Sequence, residues 1–330
     1  MKSITLIIYS LLFINLSAYA VQPDQQSLFD VFQEQDLLEV TLKTDFDLIL
    51  ADKRNEEYQP ATFIYLNAAD EEVLENIKIK QRGKYRRRVC DMPPLKLNFD
   101  KSDLADKGLA KFDKMKLVTY CMDSPSSKEA IVKEYLAYQM YQELTPYSYR
   151  TQLVKITYID TDNPRRKTRH FGFLIESTSE LEARIDAEEV EAFNLQANEF
   201  NLKQEALVAN FQYMIGNADW DRVTMRNVKI LKPTNGGKLL LVPYDFDFSG
   251  MVDANYAIPN TTLGLDSVQQ RAYLGTRQDK KALIAIESYF VRKRDQLYEV
   301  IENCRYLNRV DRQEVINYLD TYYDASTIAR

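Results

Sequence analysis

Two hydrophobic periods divide this chain, and the switch between them constrains its fold more than any other feature. Between about residues 37 and 176, apolar and β-branched residues alternate in seven short segments, at 39–46, 62–66, 76–81, 95–99, 114–119, 152–159 and 171–175. That is the period of half-buried strands. One helical stretch interrupts them at 127–144, where Ile131, Tyr135, Tyr138 and Tyr141 recur at helical spacings and Pro146 follows as a stop signal. From Leu181 onward the period is mainly helical, clearest at 202–215, 283–300 and 312–323, with one hairpin at 228–242 set among the helices. No repeat, low-complexity tract or Pro/Gly/Ser-rich linker breaks the chain. The expectation is an α+β architecture in a single domain over 21–330, strand-rich over about 21–176 and helix-rich over 177–330.

The amino terminus has a different logic. Met1 and Lys2 precede an apolar run at 4–16 and then Ser17-Ala18-Tyr19-Ala20, the n-region, h-region and small-residue pattern of a cleaved signal peptide, residues 1–20. The run is shorter than the roughly 20 residues that cross a bilayer, and no second long apolar run follows. The expectation is a periplasmic or extracellular protein that begins at Val21, with no membrane span after cleavage. Losing Lys2 takes the formal net charge from −6 to −7, which gives no support for nucleic acid or an anionic membrane as a partner.

Scarcity excludes further chemistries. His170 is the only histidine and Cys90, Cys121 and Cys304 are the only thiols, so a His-rich zinc site is ruled out and a Ser-His-Asp mechanism would rest on one residue. His170 reads as a strand-edge residue. The nine glycines make neither a G-x-G-x-x-G nor a Walker A sequence. The segments at 95–99 and 114–119 lie between Cys90 and Cys121 and, paired as a hairpin, bring those two thiols together at its open end. Oxidising export permits the bond, so a Cys90–Cys121 disulfide with Cys304 unpaired is expected.

The hairpin carries the most chemistry. Gly216-Asn217-Ala218-Asp219-Trp220-Asp221-Arg222 leads to Asn227, a strand, the turn Thr234-Asn235-Gly236-Gly237, a second strand, and Pro243-Tyr244-Asp245-Phe246-Asp247. With Asn235-Gly236 as the turn, Val228 falls opposite Pro243, so Asn227 and Asp245 emerge side by side, and Asp219 can fold over the same end. Convergent carboxylate and amide oxygens suit Mg²⁺, whose shell is commonly completed by substrate phosphates. A carboxylate outside that shell can take the proton of an attacking hydroxyl. The same residues also read as turn caps and loop decoration, and spacing alone leaves both readings open.

Order of parts adds to this. Protein kinases deliver a catalytic Asp, a metal-binding Asn, a two-stranded hairpin and a metal-binding Asp in that sequence. Gly-Asn-x-Asp at 216–219, Asn227 and Pro-Tyr-Asp-Phe-Asp at 243–247 resemble the catalytic segments of the CotH family of atypical kinases. Arg82-Gly83, Pro93-Pro94-Leu95-Lys96-Leu97-Asn98-Phe99, the helix at 128–144 and Phe171-Gly172-Phe173-Leu174-Ile175-Glu176 match as well, so the resemblance covers about 77–250. It implies an atypical protein-kinase-like two-lobed fold that uses ATP and Mg²⁺ or Mn²⁺ to phosphorylate a protein or other hydroxyl-bearing acceptor. Asp219 resembles the catalytic Asp, Asn227 and Asp245 the metal ligands, and Asp247 a second metal contact. Lys96 is the implied phosphate contact, with Arg82 as its competitor. Glu176 would lie near the nucleotide or pair with Lys133.

The chain departs from the family's Arg-Gly-Asn, having Arg82-Gly83-Lys84-Tyr85-Arg86. Lys84 or the arginines at 86–88 would supply phosphate contacts instead, although an arginine run also fits a solvated face. ATP is scarce outside the cytoplasm, so a catalytically silent kinase-like envelope protein, with a structural cation or none at its acidic cluster, is the alternative.

Overall fold

The computed structural model describes residues 25–192, 195–277 and 279–328; the expected signal peptide lies outside them. The first part contains α1 (Leu28–Phe32), β1 (Leu38–Thr44), α2 (Phe46–Ala51), β2 (Gln59–Leu66), β3 (Glu72–Gln81), α3 (Arg86–Val89), β4 (Leu95–Asn98), α4 (Lys101–Asp106), β5 (Lys114–Val118), α5 (Pro125–Leu144), β6 (Thr151–Asp160) and β7 (Lys167–Ile175). The second contains α6 (Thr178–Ile185), β8 (Ala187–Glu189), α7 (Leu202–Ile215), β9 (Val228–Pro233), β10 (Leu240–Pro243), α8 (Lys280–Glu302) and α9 (Arg309–Ile328). The mixed α+β arrangement is the expected one. Each of the seven alternating segments forms a strand.

Alternation along the strands buries one face of each, including Leu38, Val40 and Leu42 on β1 and Leu95 and Leu97 on β4. These faces turn inward because the strands close into a barrel in the order β1-β2-β3-β4-β5-β7-β6. Closure is made by a parallel pairing of β1 with β6, from Leu38 opposite Val154 to Thr44 opposite Asp160. It gives β1 a partner on each side, β2 and β6, so the sheet has no terminal strand. The period of the strands did not indicate this closure. Phe29 and Phe32 of α1 join the barrel's apolar interior, where the Phe32 ring packs against those of Phe63, Tyr65 and Phe99.

A second apolar cluster gathers α7, α8, α9 and the β9–β10 hairpin. Helix α5 belongs in sequence to the strand-rich part, yet its Ile131, Tyr138 and Tyr141 pack in this second cluster. Tyr138 touches Phe173 of β7 on one side and Phe246 beyond β10 on the other. Ser124 caps the helix, accepting from Ser127 N, and Pro125 follows at the first turn, where its missing N–H costs nothing. Helix α5 is therefore a wall shared by barrel and helices, and the candidate site lies beside it.

Cys90 and Cys121 are joined, with Cα atoms 4.4 Å apart, and Cys304 is free and buried. The pairing follows from β4 lying antiparallel to β5, with Leu95 opposite Leu117. His170, on β7, pairs with Ile156 of β6 but lies beyond the β5 pairing, which ends at Phe173, so it stands where the strand has a neighbour on one side only, as expected; its ring is stacked on Tyr120 at 3.7 Å. Among the described residues no helix is long and apolar enough to cross a membrane.

Candidate active site

Helix α7 ends at Gly216, whose φ of +67° turns the chain sharply and whose missing Cβ would stand 1.9 Å from the Tyr318 hydroxyl. The following loop holds its own shape. Asn217 Oδ1 accepts from Asp219 N at 2.9 Å. Asp221 and Arg226 exchange main-chain bonds of 3.0 and 2.9 Å across the loop. Asp221 Oδ1 also accepts from Val223 N at 2.8 Å and its Oδ2 from the Thr224 hydroxyl at 2.7 Å, so this carboxylate is occupied as a turn cap.

The hairpin has the expected register, with Val228 opposite Pro243. Asn227 and Asp245, one residue outside Val228 and two outside Pro243, both adopt left-handed backbone, with φ of 53° and 66°. For residues other than glycine this conformation is uncommon and often marks functional segments. It is held by Tyr244 N donating to Asn227 O at 3.0 Å and by Asp245 N donating to the Tyr138 hydroxyl at 2.8 Å. Asn227 Nδ2 donates to the main-chain oxygen of Asp219 at 2.7 Å and to its Oδ2 at 3.0 Å. With Nδ2 so committed, Oδ1 is the Asn227 atom left for a cation. Arg226 Nε stands 3.4 Å from Asp219 Oδ1. Burial raises the Asp219 carboxyl above its usual range, with Arg226 opposing and Asp245 reinforcing the rise.

Asp245 and Asp247 meet a carboxylate the sequence did not single out. Glu134, at mid-length in α5, places an oxygen within 4.8 Å of an oxygen from each of them. Glu134 is buried, and burial followed by the nearness of Asp247 raises its pKa strongly. Its Oε1 has no hydrogen-bond partner. Asp247 accepts from the Tyr256 hydroxyl at 3.0 Å and is pushed up to about 7, first by burial and then by Asp245. Three converging carboxylates, one oxygen of them orphaned, form a donor set that fits a hard divalent cation. Arg86 lies against the same cluster. It is buried, its Nη1 is 3.9 Å from Glu134 Oε2, its Nη2 donates to Thr119 O, and its guanidinium covers the Tyr256 ring at 5.4 Å. Burial works against the charge on Arg86, but Tyr256, Asp247, Glu134 and Asp245 outweigh it and hold the group protonated.

Asp219, Asn227, Asp245, Asp247 and Arg82 line one cleft of about 560 Å³, together with Gly83, Lys84 and Arg86. Arg82 and Lys84 make no ion pair among the described residues. The lining of the cleft thus combines carboxylates with two cations, Arg82 and Lys84, that no described carboxylate pairs.

Two sequence-derived candidates stand elsewhere. Lys96 does not line the cleft, because its register sets it between Lys80 and Lys116 in a cross-strand row of lysines. Glu176 is fully buried and held by Arg150 Nε at 2.8 Å and Arg184 Nη2 at 2.6 Å. It is not paired with Lys133, whose partner is Glu314 at 3.6 Å. Of the arginine run, Arg86 is buried against the carboxylates and Arg87 pairs with Glu56 at 3.0 Å, so only Arg88 is the solvated residue that such a run suggests.

Lys116 was missed altogether. Opposite Lys96, its ammonium sits between the rings of Tyr149 and Tyr244, at 4.7 and 5.0 Å, with no hydrogen bond or ion pair among the described residues. Burial, then Arg82 and Lys229, pull it down to about 7. The alternation of β5 sets Lys116 on the face away from Met115 and Leu117, and the register that brings it opposite Lys96 was not readable from the sequence.

No family model and no curated protein matches this chain. Among solved structures it superposes on the proinflammatory kinase CtkA of Helicobacter pylori with a TM-score of 0.38 at 12% identity, over 69% of this chain and 90% of that one. A likeness of that degree leaves the chemistry to be argued from the cleft itself.

Proposed function

We propose that this chain is an exported atypical kinase of the CotH kind, a single two-lobed domain that transfers a phosphoryl group from ATP to a hydroxyl-bearing acceptor with Mg²⁺ or Mn²⁺. The observation that carries the reading is that one cleft is lined both by converging carboxylates and by cations without an ion pair among the described residues, the complement of a metal-bound polyphosphate. Asn227, Asp245 and Asp247, with Glu134 behind them, would hold the cation. When bound, it would neutralise charge on the phosphates and on the transition state. Arg82 and Lys84 would take phosphate oxygens, and Asp219, oriented by Asn227 and Arg226, would accept the proton of the attacking hydroxyl. Its raised pKa suits a group that must gain a proton. The Cys90–Cys121 disulfide fits an oxidising compartment.

A second reading has its own support. Arg86 already sets a buried positive charge against Glu134 and Asp247, so the carboxylates are partly neutralised without a cation, as a catalytically silent envelope protein would require. Thermal unfolding separates the two. A ligand that binds only the native state raises its stability, so the kinase reading requires ATP to raise the melting temperature and divalent metal to be needed for the rise. Absence of any shift with ATP, Mg²⁺, Mn²⁺ or their combinations would favour the silent protein.

A further inference from the structure

Asp219 is shared by two adjoining hollows. It lines the 560 Å³ cleft, and with Arg226, Phe248 and Ile258 it also lines a recess of about 250 Å³. Asn227, Asp245 and Asp247 face only the cleft; Gly216, Ala218 and the segment at 259–268 face only the recess. The segment is fastened over the Asp219 loop, since Asn260 Nδ2 donates to Ala218 O at 3.1 Å while Asn260 O accepts from Leu263 N and Leu265 N at 3.1 and 3.3 Å.

We infer that this recess is the acceptor subsite, and that it takes a hydroxyl-bearing side chain of a polypeptide whose flanking residues are apolar or uncharged. The inference rests on the phosphotransfer reading above and adds the acceptor to it. An attacking oxygen approaches the phosphorus roughly in line with the leaving oxygen, on the side away from the rest of the polyphosphate, so with the polyphosphate in the cleft the acceptor needs a separate space that also reaches Asp219, and the recess is such a space. The acceptor oxygen bonds to the terminal phosphorus of a nucleoside triphosphate. The bond from that phosphorus to the bridging oxygen breaks, its electron pair leaves on the nucleoside diphosphate, and the hydroxyl proton passes to the Asp219 carboxylate.

The lining sets the acceptor's chemistry. Ile258, Pro259, Leu265 and Val268 are apolar, and Asn260 and Thr262 are polar but neutral. Among the described residues that line it, the charged ones are Asp219 and Arg226, which face each other at 3.4 Å. An acidic or nucleic-acid acceptor would need free cations here, and a Lys/Arg-rich peptide would need further carboxylates. Ile258 of the lining is 61% exposed, and Leu263, on the same segment next to Thr262, is 42% exposed, so apolar surface is open to residues flanking the hydroxyl.

The test uses the purified full chain, ATP with Mg²⁺ or Mn²⁺, and serine-centred peptides with apolar, basic or acidic flanks, with phosphopeptide and phosphate released to water both measured. Apolar-flanked peptides should be favoured by roughly tenfold or more in kcat/KM, the scale of discrimination a small apolar pocket provides. Thr262→Trp, at an exposed position on the turn Thr261–Leu263, should lower the ratio of peptide to water transfer by a similar factor. Val268→Glu should move preference toward basic flanks, a change that general destabilisation does not produce. Wild-type preference and ratio in both variants, or a basic or acidic preference in the wild type, would overturn the assignment while leaving phosphotransfer standing. If the wild type yields neither phosphopeptide nor phosphate, the phosphotransfer reading falls and the acceptor assignment with it.

Discussion

Asn227 Nδ2 donates to both the main-chain oxygen and the carboxylate of Asp219, at 2.7 and 3.0 Å, binding the start of the hairpin to the loop eight residues before it. The two residues with the strongest sequence claim to metal binding and proton transfer are thus one unit. Their coupling means that a change in either is felt at both.

Asp219→Asn should retain metal-dependent nucleotide binding and slow the chemical step by about 10²- to 10⁴-fold, the usual worth of a general base. Asp221→Ala serves as the control. It removes two capping bonds, so it should cost about 1–2 kcal/mol of stability in denaturant melts and keep its activity per folded molecule. Equal loss of turnover in both variants would show that Asp219 acts only by holding the loop.

Removing the disulfide by paired Cys90→Ser and Cys121→Ser substitutions should cost roughly 3–4 kcal/mol by chain entropy, because it closes a loop spanning 31 residues of sequence separation. Nucleotide binding should weaken too, since the bond ties the segment carrying Arg86 to the start of α5, the helix that carries Glu134. Urea unfolding and calorimetric binding give the two numbers. A stability loss with unchanged nucleotide affinity would separate the disulfide from the cleft.

Glu180 provides a pH signature away from the cleft. It is buried beside Ser27 and Arg150, with Glu176 and Asp30 near, and burial pushes its carboxyl up to about 7 from an ordinary value of 4.5. A folded pKa above the unfolded one means that the native state binds more protons between those limits, so its contribution is present at acid pH and lost as pH rises from about 4.5 to about 7. Asp30 is lowered from 3.8, so its contribution is lost only in more acid solution. Glu180→Gln should therefore gain on the wild type in urea midpoint as pH is raised from 5 to 8. A constant difference across that range would contradict the shift.

How much of this was legible in the sequence depends on the range of the interactions. The hairpin register was readable because Asn235-Gly236 and alternating apolar residues fix it locally, and the Cys90–Cys121 pairing because two neighbouring strands lie inside it. Barrel closure was not, since β1 and β6 are more than a hundred residues apart and nothing local marks a parallel partner. Glu134 and Arg86 were hidden for a different reason. A single acid in a helix, and one arginine in a run of three, look like surface charges until tertiary packing buries them against each other. The family pattern favours the strand lysine Lys96 over Arg82, but the cross-strand row of lysines holds Lys96 and the cleft lining does not, whereas Arg82, one residue past the end of β3, lines it.

The most direct measurement is transfer of the labelled γ-phosphoryl group of ATP by the purified chain with Mg²⁺ or Mn²⁺, comparing the wild type with Asp245→Asn. Metal-dependent labelling of the chain or an added acceptor by the wild type, lost in Asp245→Asn together with metal-dependent nucleotide affinity, is the predicted result. A wild type that labels nothing with either metal, or an Asp245→Asn variant that labels at the wild-type rate, would contradict the account.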